Sequence, residues 1–167
     1  FEVGNLVHER IEELLQKIDR DKYGIERIYS EIDYPILIDD GGELVRIGGR
    51  VDGLVVFKDG VKMIVEYKTI STTQYLNKPK HEHINQANLY MYASGAKLAL
   101  IVYIEKNTFK IKTFEIEYDK DIARRSIDRA KLLNKGIKNN EIPVAESKNY
   151  KDRLWECRYC SWKGECD

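Results

Sequence analysis

The sequence predicts an α/β fold of the α+β kind, in which helices pack on a mixed β-sheet. Apolar residues recur at helical spacing over residues 3–19, which predicts an amphipathic helix. Residues 48–68 form two apolar runs around a tight turn, which predicts a β-hairpin. A second helical segment at 81–94 precedes an apolar strand at 98–104, so it can cross over and place that strand parallel to the second hairpin strand.

The remaining elements follow in chain order: a strand at 25–38, a turn at 39–42, a strand from 44, a loop at 69–80, an alternating strand at 109–118 and a helix to about 138. Pro35 indicates an edge or a bulge in the first strand. Asp119 can cap the last helix. The residues expected to be buried by that helix are Ile122, Ile127, Ala130, Leu133 and Ile137.

The turn of the hairpin decides which of its charged residues can meet. A two-residue turn at Asp59-Gly60 would send Asp52 and Glu66 to opposite faces of the sheet. A three-residue turn with Gly60 in the left-handed conformation and a bulge instead aligns Asp52 with Glu66, and Lys68 follows on the same face. That register also stacks the apolar residues of both strands, so we expect it.

Composition and charge indicate a soluble globular protein with one domain, residues 1–167, and a cysteine-bearing tail at 143–167. The chain has 28 Lys and Arg against 28 Asp and Glu, so any polyanion site must be a local patch. No apolar run approaches a membrane span, and the first residues lack a signal-peptide pattern. The three cysteines cluster near the end, which argues against a distributed disulfide framework. We expect an intracellular, cytoplasmic protein.

Asp52, Glu66 and Lys68 together indicate phosphodiester chemistry. Carboxylates on adjacent strands offer the hard oxygen ligands that Mg²⁺ or Mn²⁺ prefers. Such an ion lowers the pKa of bound water and neutralises charge that develops on phosphate. A lysine two residues beyond Glu66 points the same way along its strand and can orient the water or hold the phosphate. The alternative is a solvated salt-bridge cluster at a strand end.

These residues resemble the core motif of the PD-(D/E)XK nuclease superfamily. The matching segments are Arg50-Val51-Asp52-Gly53 and Glu66-Tyr67-Lys68, with Val51 at the place of the usual proline. Gly4-x-x-x-His8 resembles the GxxxH element of RecB-like nucleases, and His83-x-x-Gln86-x-x-x-Tyr90 resembles their HxxQxxxY element. The matches keep the family's order over nearly the whole chain. The length is most similar to the CRISPR-associated exonuclease family or a viral or mobile-element relative.

The resemblance implies a restriction-endonuclease-like fold and a role for each matching residue. Asp52 and Glu66 match the metal-binding carboxylates, and Lys68 matches the catalytic lysine. The backbone carbonyl of Tyr67 would also bind the metal, and His8 would complete its shell. The residues expected on the DNA side are Arg50, His83, Gln86 and Tyr90. Alone, His8 could be a satisfied core or surface histidine, and Gln86 with Tyr90 a hydrogen-bonded pair.

The pattern Cys157-x-x-Cys160-x5-Cys166 resembles the cysteine group of iron–sulfur members of the family. Three thiols are too few to close a tetrahedral site. The family's fourth cysteine lies upstream of the first helix, where this chain has none. We favour a 4Fe–4S site of structural role that needs a further ligand. Zinc, with histidine or solvent as fourth ligand, and a Cys157–Cys160 disulfide are the alternatives.

Together these features predict a metal-dependent deoxyribonuclease that acts on single-stranded DNA ends. The residues expected to supply charge or base stacking are Arg50, Lys68, Lys78, Lys80, Tyr67, Tyr75 and Tyr90. The basic face of the last helix is a second candidate surface, unless it is simply solvated. The alternatives are a catalytically idle nucleic-acid-binding or adaptor module and a structure-specific endonuclease. Besides DNA, CRISPR adaptation proteins or a helicase are the expected partners.

Overall fold

The fold is given by a computed structural model that describes residues 2–141, 151–161 and 163–165. By internal contacts the chain divides into two compact units, Phe1–Asp128 and Arg129–Asp167. The predicted start of the tail, residue 143, lies outside the described residues. No helix in the described part of the chain has the length and apolarity that a membrane span requires.

In the described residues, seven strands form two sheets. The strands are β1 (Ile25–Asp33), β2 (Ile36–Asp39), β3 (Leu44–Ile47), β4 (Arg50–Phe57), β5 (Lys62–Ile70), β6 (Leu98–Glu105) and β7 (Ile111–Glu117). The main sheet has the order β1-β4-β5-β6-β7, and β2 pairs only with β3. The helices are α1 (Glu2–Gln16), α2 (His81–Ser94) and α3 (Lys120–Asn139), followed by 3₁₀ segments at Lys151–Tyr159 and Lys163–Glu165. The mixed sheet with its helices confirms the predicted α+β class.

β5 and β6 run parallel, as the crossover through α2 predicted. Alternate residues of these strands contribute to two apolar clusters. Ile64 and Ile101 pack in the cluster that includes the buried residues of α2. Val65 and Val102 pack in the cluster that includes Val7 of α1. Because successive side chains of a strand point to opposite faces, each helix covers one face of the sheet.

The hairpin between β4 and β5 has the predicted bulged register. The N–H of Phe57 donates to the carbonyl of Val61 at 2.8 Å, so these two residues flank a three-residue turn. Gly60 lies in the left-handed region at φ +83°, which glycine adopts without a steric penalty. The ladder between the strands ends at the pair Gly53–Val65. The next position of the same register places Asp52 across from Glu66.

The prediction of one strand at 25–38 was wrong, because β1 and β2 belong to different sheets. Pro35 lies between them and has no N–H to offer a ladder. The N–H of Tyr34 instead donates to the carbonyl of Gly49 at 2.8 Å. The disruption that Pro35 indicated is therefore real, but it is stronger than an edge or a bulge.

Helix α3 begins as predicted and differs from the prediction further along. Oδ1 of Asp119 accepts the N–H groups of Asp121 at 2.8 Å and Ile122 at 3.1 Å, which is an N-cap. Ile127 is buried, but Leu133 and Ile137 are exposed, so the expected burial of these two residues was wrong. A 3.6-residue period alone does not show how much of a helix has a packing partner.

Candidate active site

Asp52 lies where β4 and β5 separate. The regular ladder reaches Gly53–Val65 and stops. One position further, Oδ2 of Asp52 accepts the N–H of Tyr67 at 2.8 Å, so a side chain replaces the next ladder bond. The other oxygen, Oδ1, lies 4.0 Å from Nδ1 of His8. Asp52 is thereby held by the backbone of β5 and keeps one oxygen for a further ligand.

Glu66 is fully buried, and only one of its carboxylate oxygens is paired. Oε1 forms an ion pair with Nζ of Lys68, two residues along β5. Oε2 has no hydrogen-bond partner among the described residues. A buried carboxylate oxygen without a donor is unfavourable, and a bound cation is one way to compensate it. Among the described residues, this oxygen is the most direct sign that the site suits a cation.

Burial, and after it the charge of Asp52, raise the pKa of Glu66 to about 7 against the opposing effect of Lys68. Burial also raises the pKa of Asp52, against the N–H of Tyr67 and the charges of Lys68 and His8. Each carboxylate therefore lies in the field of the other. A divalent ion would relieve this repulsion, and it would compete with protons for both groups.

His8 reaches this site from α1, as predicted. Its Nδ1 lies 3.2 Å from Oε1 of Glu31 and 4.0 Å from Oδ1 of Asp52. The ring stands edge-on to Tyr67, with centroids 5.7 Å apart. An imidazole nitrogen thus faces two carboxylates.

Glu31 is a site residue that the sequence analysis did not predict. The β1–β4 ladder pairs Ser30 with Gly53 and Ile32 with Val51, which places Glu31 across from Asp52. Its φ of +50° is rare for a residue other than glycine, and such conformations concentrate at functional sites. Two whole strands separate β1 from β4 in the sequence, so no local pattern could reveal this register.

Arg50 lies at the exposed edge of the site, with its guanidinium held by two carboxylates. Nε donates to Oδ1 of Asp33 at 3.2 Å, and NH1 donates to Oε2 of Glu31 at 3.3 Å. These two partners raise the pKa of Arg50. Any phosphate contact by Arg50 must therefore compete with Asp33 and Glu31, and its DNA-binding role stays a prediction.

Tyr90 and Gln86 approach the site from α2. Tyr90 is buried, and its hydroxyl donates to the carbonyl of Arg50 at 2.7 Å. A hydrogen bond with Gln86 lowers the pKa of Tyr90, although burial makes the net shift upward. Tyr67 is buried as well, so the expected base stacking on Tyr67 and Tyr90 was wrong. Tyr75, which is 79% exposed, keeps a face for stacking.

His83 forms a hydrogen bond through Nδ1 with the hydroxyl of Tyr103 at 2.7 Å. Burial and the nearby charge of Lys68 lower the pKa of His83 to about 4. The ring is therefore neutral at pH 7 and cannot attract phosphate as a cation. His81 is exposed.

The cysteines belong to the second unit. Cys157 and Cys160 are not joined by a disulfide in this structure, contrary to the alternative disulfide. The N–H of Cys160 lies 3.5 Å from the carbonyl of Cys157. Cys166 lies outside the described residues, so the three-cysteine site stays a prediction.

The donor set fits Mg²⁺ or Mn²⁺. One ligand atom each from His8, Glu31 and Asp52 lies within 4.8 Å of the others. Glu66 is not a member of this group among the described residues. Its Oε2 has no hydrogen-bond partner there, and its pKa responds to the charges of Asp52 and His8, so the carboxylate lies close to the group. Carboxylates with a single imidazole suit these hard ions, whereas a soft metal ion would favour thiolate ligands.

The chain is similar to nucleases over nearly its whole length. Residues 2–167 match the family model of the PD-(D/E)XK nuclease superfamily. The CRISPR-associated exonuclease Cas4 of Saccharolobus solfataricus is 24% identical over 164 residues, which cover 98% of this chain and 70% of that protein.

Solved structures share the fold. The structure of SSO0001 has a TM-score of 0.61 at 23% identity and covers 98% of this chain and 68% of its own. LHK-Exo in complex with dAMP has a TM-score of 0.54 at 20% identity and covers 79% of this chain and 67% of its own. This likeness confirms the predicted restriction-endonuclease-like sheet.

Proposed function

The chain belongs to the PD-(D/E)XK nuclease superfamily, and on that premise we propose that it is a metal-dependent deoxyribonuclease that acts on single-stranded DNA ends. One observation carries the metal dependence: Oε2 of the fully buried Glu66 lacks a partner in the described part of the chain, beside Asp52 and the ion-paired Lys68. A structural salt bridge alone would not leave that oxygen uncompensated.

Asp52, Glu66, the carbonyl of Tyr67 and His8 would hold the Mg²⁺ or Mn²⁺ ion. When bound, the ion supplies Lewis-acid stabilisation of the phosphate and a lower pKa for bound water. Asp52 is pre-oriented for this by the N–H of Tyr67. Preorganised ligands need little rearrangement when substrate arrives.

Lys68 would orient the attacking water and hold the phosphate. Its side chain is 23% exposed and paired with Glu66, so the ammonium joins the buried carboxylate to solvent. An ammonium has three donors, and the bond to Glu66 uses one of them. The others are available for a water and a phosphate oxygen, which is the geometry that phosphodiester hydrolysis needs.

The DNA side of the site would be the segment between β5 and α2. Tyr75 is 79% exposed there, and Lys78 and Lys80 are exposed beside it. An exposed ring among lysines suits unpaired bases with their phosphates, because stacking does not depend on base identity. This combination supports a single-stranded substrate.

Two relatives support action at DNA ends. One is named an exonuclease, and a solved structure of the same fold was obtained with dAMP, a mononucleotide. A product of that size results from cleavage at an end. As partners we propose CRISPR adaptation proteins, because one relative is named CRISPR-associated, or a helicase, and we propose a role inside the cell. Cys157, Cys160 and Cys166 would contribute to an iron–sulfur site, with zinc as the alternative.

The test is digestion of end-labelled linear and covalently closed circular single-stranded DNA in Mn²⁺, Mg²⁺ or EDTA. We expect release of short products from the linear strand with either ion, none in EDTA, and intact circles. Rapid cutting of circles would identify an endonuclease instead. Retention of DNA without cleavage in any ion would identify the idle binding module.

A further inference from the structure

Glu31 lies in the site but has no role in the function proposed above. It stands across from Asp52, between the ladder pairs Ser30–Gly53 and Ile32–Val51. Carboxylates directly across neighbouring strands repel each other. The charge of Glu31 indeed raises the pKa of Asp52. Arg50 pairs with Oε2 of Glu31, and a cation between Oε1 of Glu31 and Oδ1 of Asp52 would offset the repulsion that remains.

The contacts of His8 indicate what that charge is. Oε1 of Glu31 and Oδ1 of Asp52 both face the same ring nitrogen, Nδ1, at 3.2 and 4.0 Å. A carboxylate that merely orients a metal-binding histidine contacts the nitrogen that does not bind the metal. In this structure Nδ1 is hydrogen-bonded to Oε1 of Glu31. A divalent ion placed between Nδ1 and Oδ1 of Asp52 would therefore have Oε1 of Glu31 within reach as well.

The rest of the neighbourhood agrees with a cation at this point. The fully buried Glu66 has an oxygen without a partner among the described residues, and its pKa responds to the charges of both Asp52 and His8. Oε2 of Glu31 is held by Nη1 of Arg50 at 3.3 Å, so the oxygen that faces His8 and the proposed ion is Oε1. Arg50 thus acts on Glu31 as outer partners act on metal-binding carboxylates.

We propose that Glu31 is a direct ligand of the divalent ion, together with His8 and Asp52. The proposal rests on the metal dependence proposed above and extends it by a third carboxylate. Glu31 would join β1 to the site, so that α1, β1, β4 and β5 all contribute ligands. The strained backbone of Glu31 is then explained by the direction that its carboxylate must take.

The experiment is a titration of the metal-free protein with Mn²⁺. Isothermal calorimetry measures the affinity, and the EPR signal of free Mn²⁺ measures it independently. Glu31→Gln is the test variant, because glutamine can still accept a hydrogen bond from His8 and so preserves an orienting role. Asp33→Asn is the matched control: it removes the same charge and also a partner of Arg50, but Asp33 is 80% exposed. We expect Glu31→Gln to weaken Mn²⁺ binding by more than about 100-fold, beyond the range that loss of an outer partner costs, and Asp33→Asn to change it less than about twofold.

The outcomes separate this proposal from the one it rests on. Equal Mn²⁺ affinity of Glu31→Gln and wild type overturns Glu31 as a ligand and leaves the metal-dependent nuclease intact. A wild type that binds no Mn²⁺ overturns both. If Glu31→Gln does not fold, as judged by circular dichroism, Glu31→Asp keeps the charge and withdraws the oxygen by one methylene. If Glu31→Asp then bound Mn²⁺ as tightly as wild type, Glu31 would not be a ligand.

Discussion

The N–H of Tyr67 donates to Oδ2 of Asp52 at 2.8 Å, at the point where the ladder between β4 and β5 stops. This bond separates the two strands and fixes the carboxylate at the same time. Tyr67 is also the residue between Glu66 and Lys68, so its backbone links all three chemical groups. The active-site geometry therefore depends on a break in the sheet rather than on a loop.

Gly49 is expected to be required by the ring of Tyr90. An added Cβ at Gly49 would lie 2.9 Å from the ring, whereas one at Gly48 meets nothing within 4 Å. We predict that Gly49→Ala lowers the free energy of unfolding by about 1–3 kcal/mol, as overpacking does, and that Gly48→Ala has a smaller effect. Urea unfolding of both variants measures this. Equal losses in the two variants would contradict the packing role of Tyr90.

Glu66 is expected to make stability depend on pH. Its pKa rises from 4.5 to about 7 on folding, so the folded protein holds the proton more tightly. Between pH 4.5 and 7 the free energy of unfolding of the metal-free protein must then fall as pH rises, by up to about 3 kcal/mol. Glu66→Gln should flatten this slope, and Glu115→Gln, at an exposed position, should not. Urea unfolding in EDTA at pH 5 and 8 measures this pH dependence. If the free energy of unfolding changed equally with pH in wild type and Glu66→Gln, the raised pKa of Glu66 would be refuted.

Glu105 is expected to anchor the segment that follows β5. The hydroxyl of Thr73 donates to it at 2.7 Å, and Thr108 donates to its other oxygen. These bonds, with the N–H of Thr73, lower the pKa of Glu105 to about 2. We predict that Glu105→Ala speeds tryptic cleavage after Lys80 at least about threefold, because the loop opens more often; Pro79 protects the bond after Lys78. Glu115→Ala is the control, and unchanged cleavage in Glu105→Ala would mean that the segment is held by other contacts.

Tyr75 is expected to stack on an unpaired base. Loss of one stacking platform costs about 1–3 kcal/mol, so Tyr75→Ala should weaken binding of single-stranded DNA by about 5- to 150-fold in EDTA. The salt dependence should stay unchanged, whereas Lys78→Ala should reduce its slope by about 1. Tyr23→Ala removes another exposed ring, 58% accessible before β1, and should bind like wild type. Fluorescence anisotropy measures the DNA affinity of the three variants. Wild-type affinity in Tyr75→Ala would show that the DNA does not contact Tyr75.

Local patterns predicted the parts of the site that lie on one hairpin. Gly60 and the stacking of apolar residues determined the register, because a slip of one residue would have exposed one strand's apolar set. The crossover through α2 then left only a parallel partner for β5. Asp52, Glu66 and Lys68 could therefore be placed relative to one another from the sequence.

Features that depend on distant segments were not predicted. Glu31 meets Asp52 only through the β1–β4 register, which two intervening strands hide. The burial of Tyr90 depends on the approach of α2 to Gly49, which no helical period encodes. Pro35 indicated a disruption in the predicted strand at 25–38. Whether such a strand bends or continues in another sheet depends on which neighbouring strands can pair with it.

The most direct test of the active site is the single-turnover rate of cleavage of end-labelled single-stranded DNA in saturating Mn²⁺. Wild type is compared with Asp52→Ala, Lys68→Ala and the control Lys58→Ala, whose side chain pairs with Asp21 at the hairpin turn. We predict losses of at least about 100-fold for the first two variants and less than about twofold for the control. Metal-dependent cleavage at the wild-type rate in both Asp52→Ala and Lys68→Ala would contradict the account.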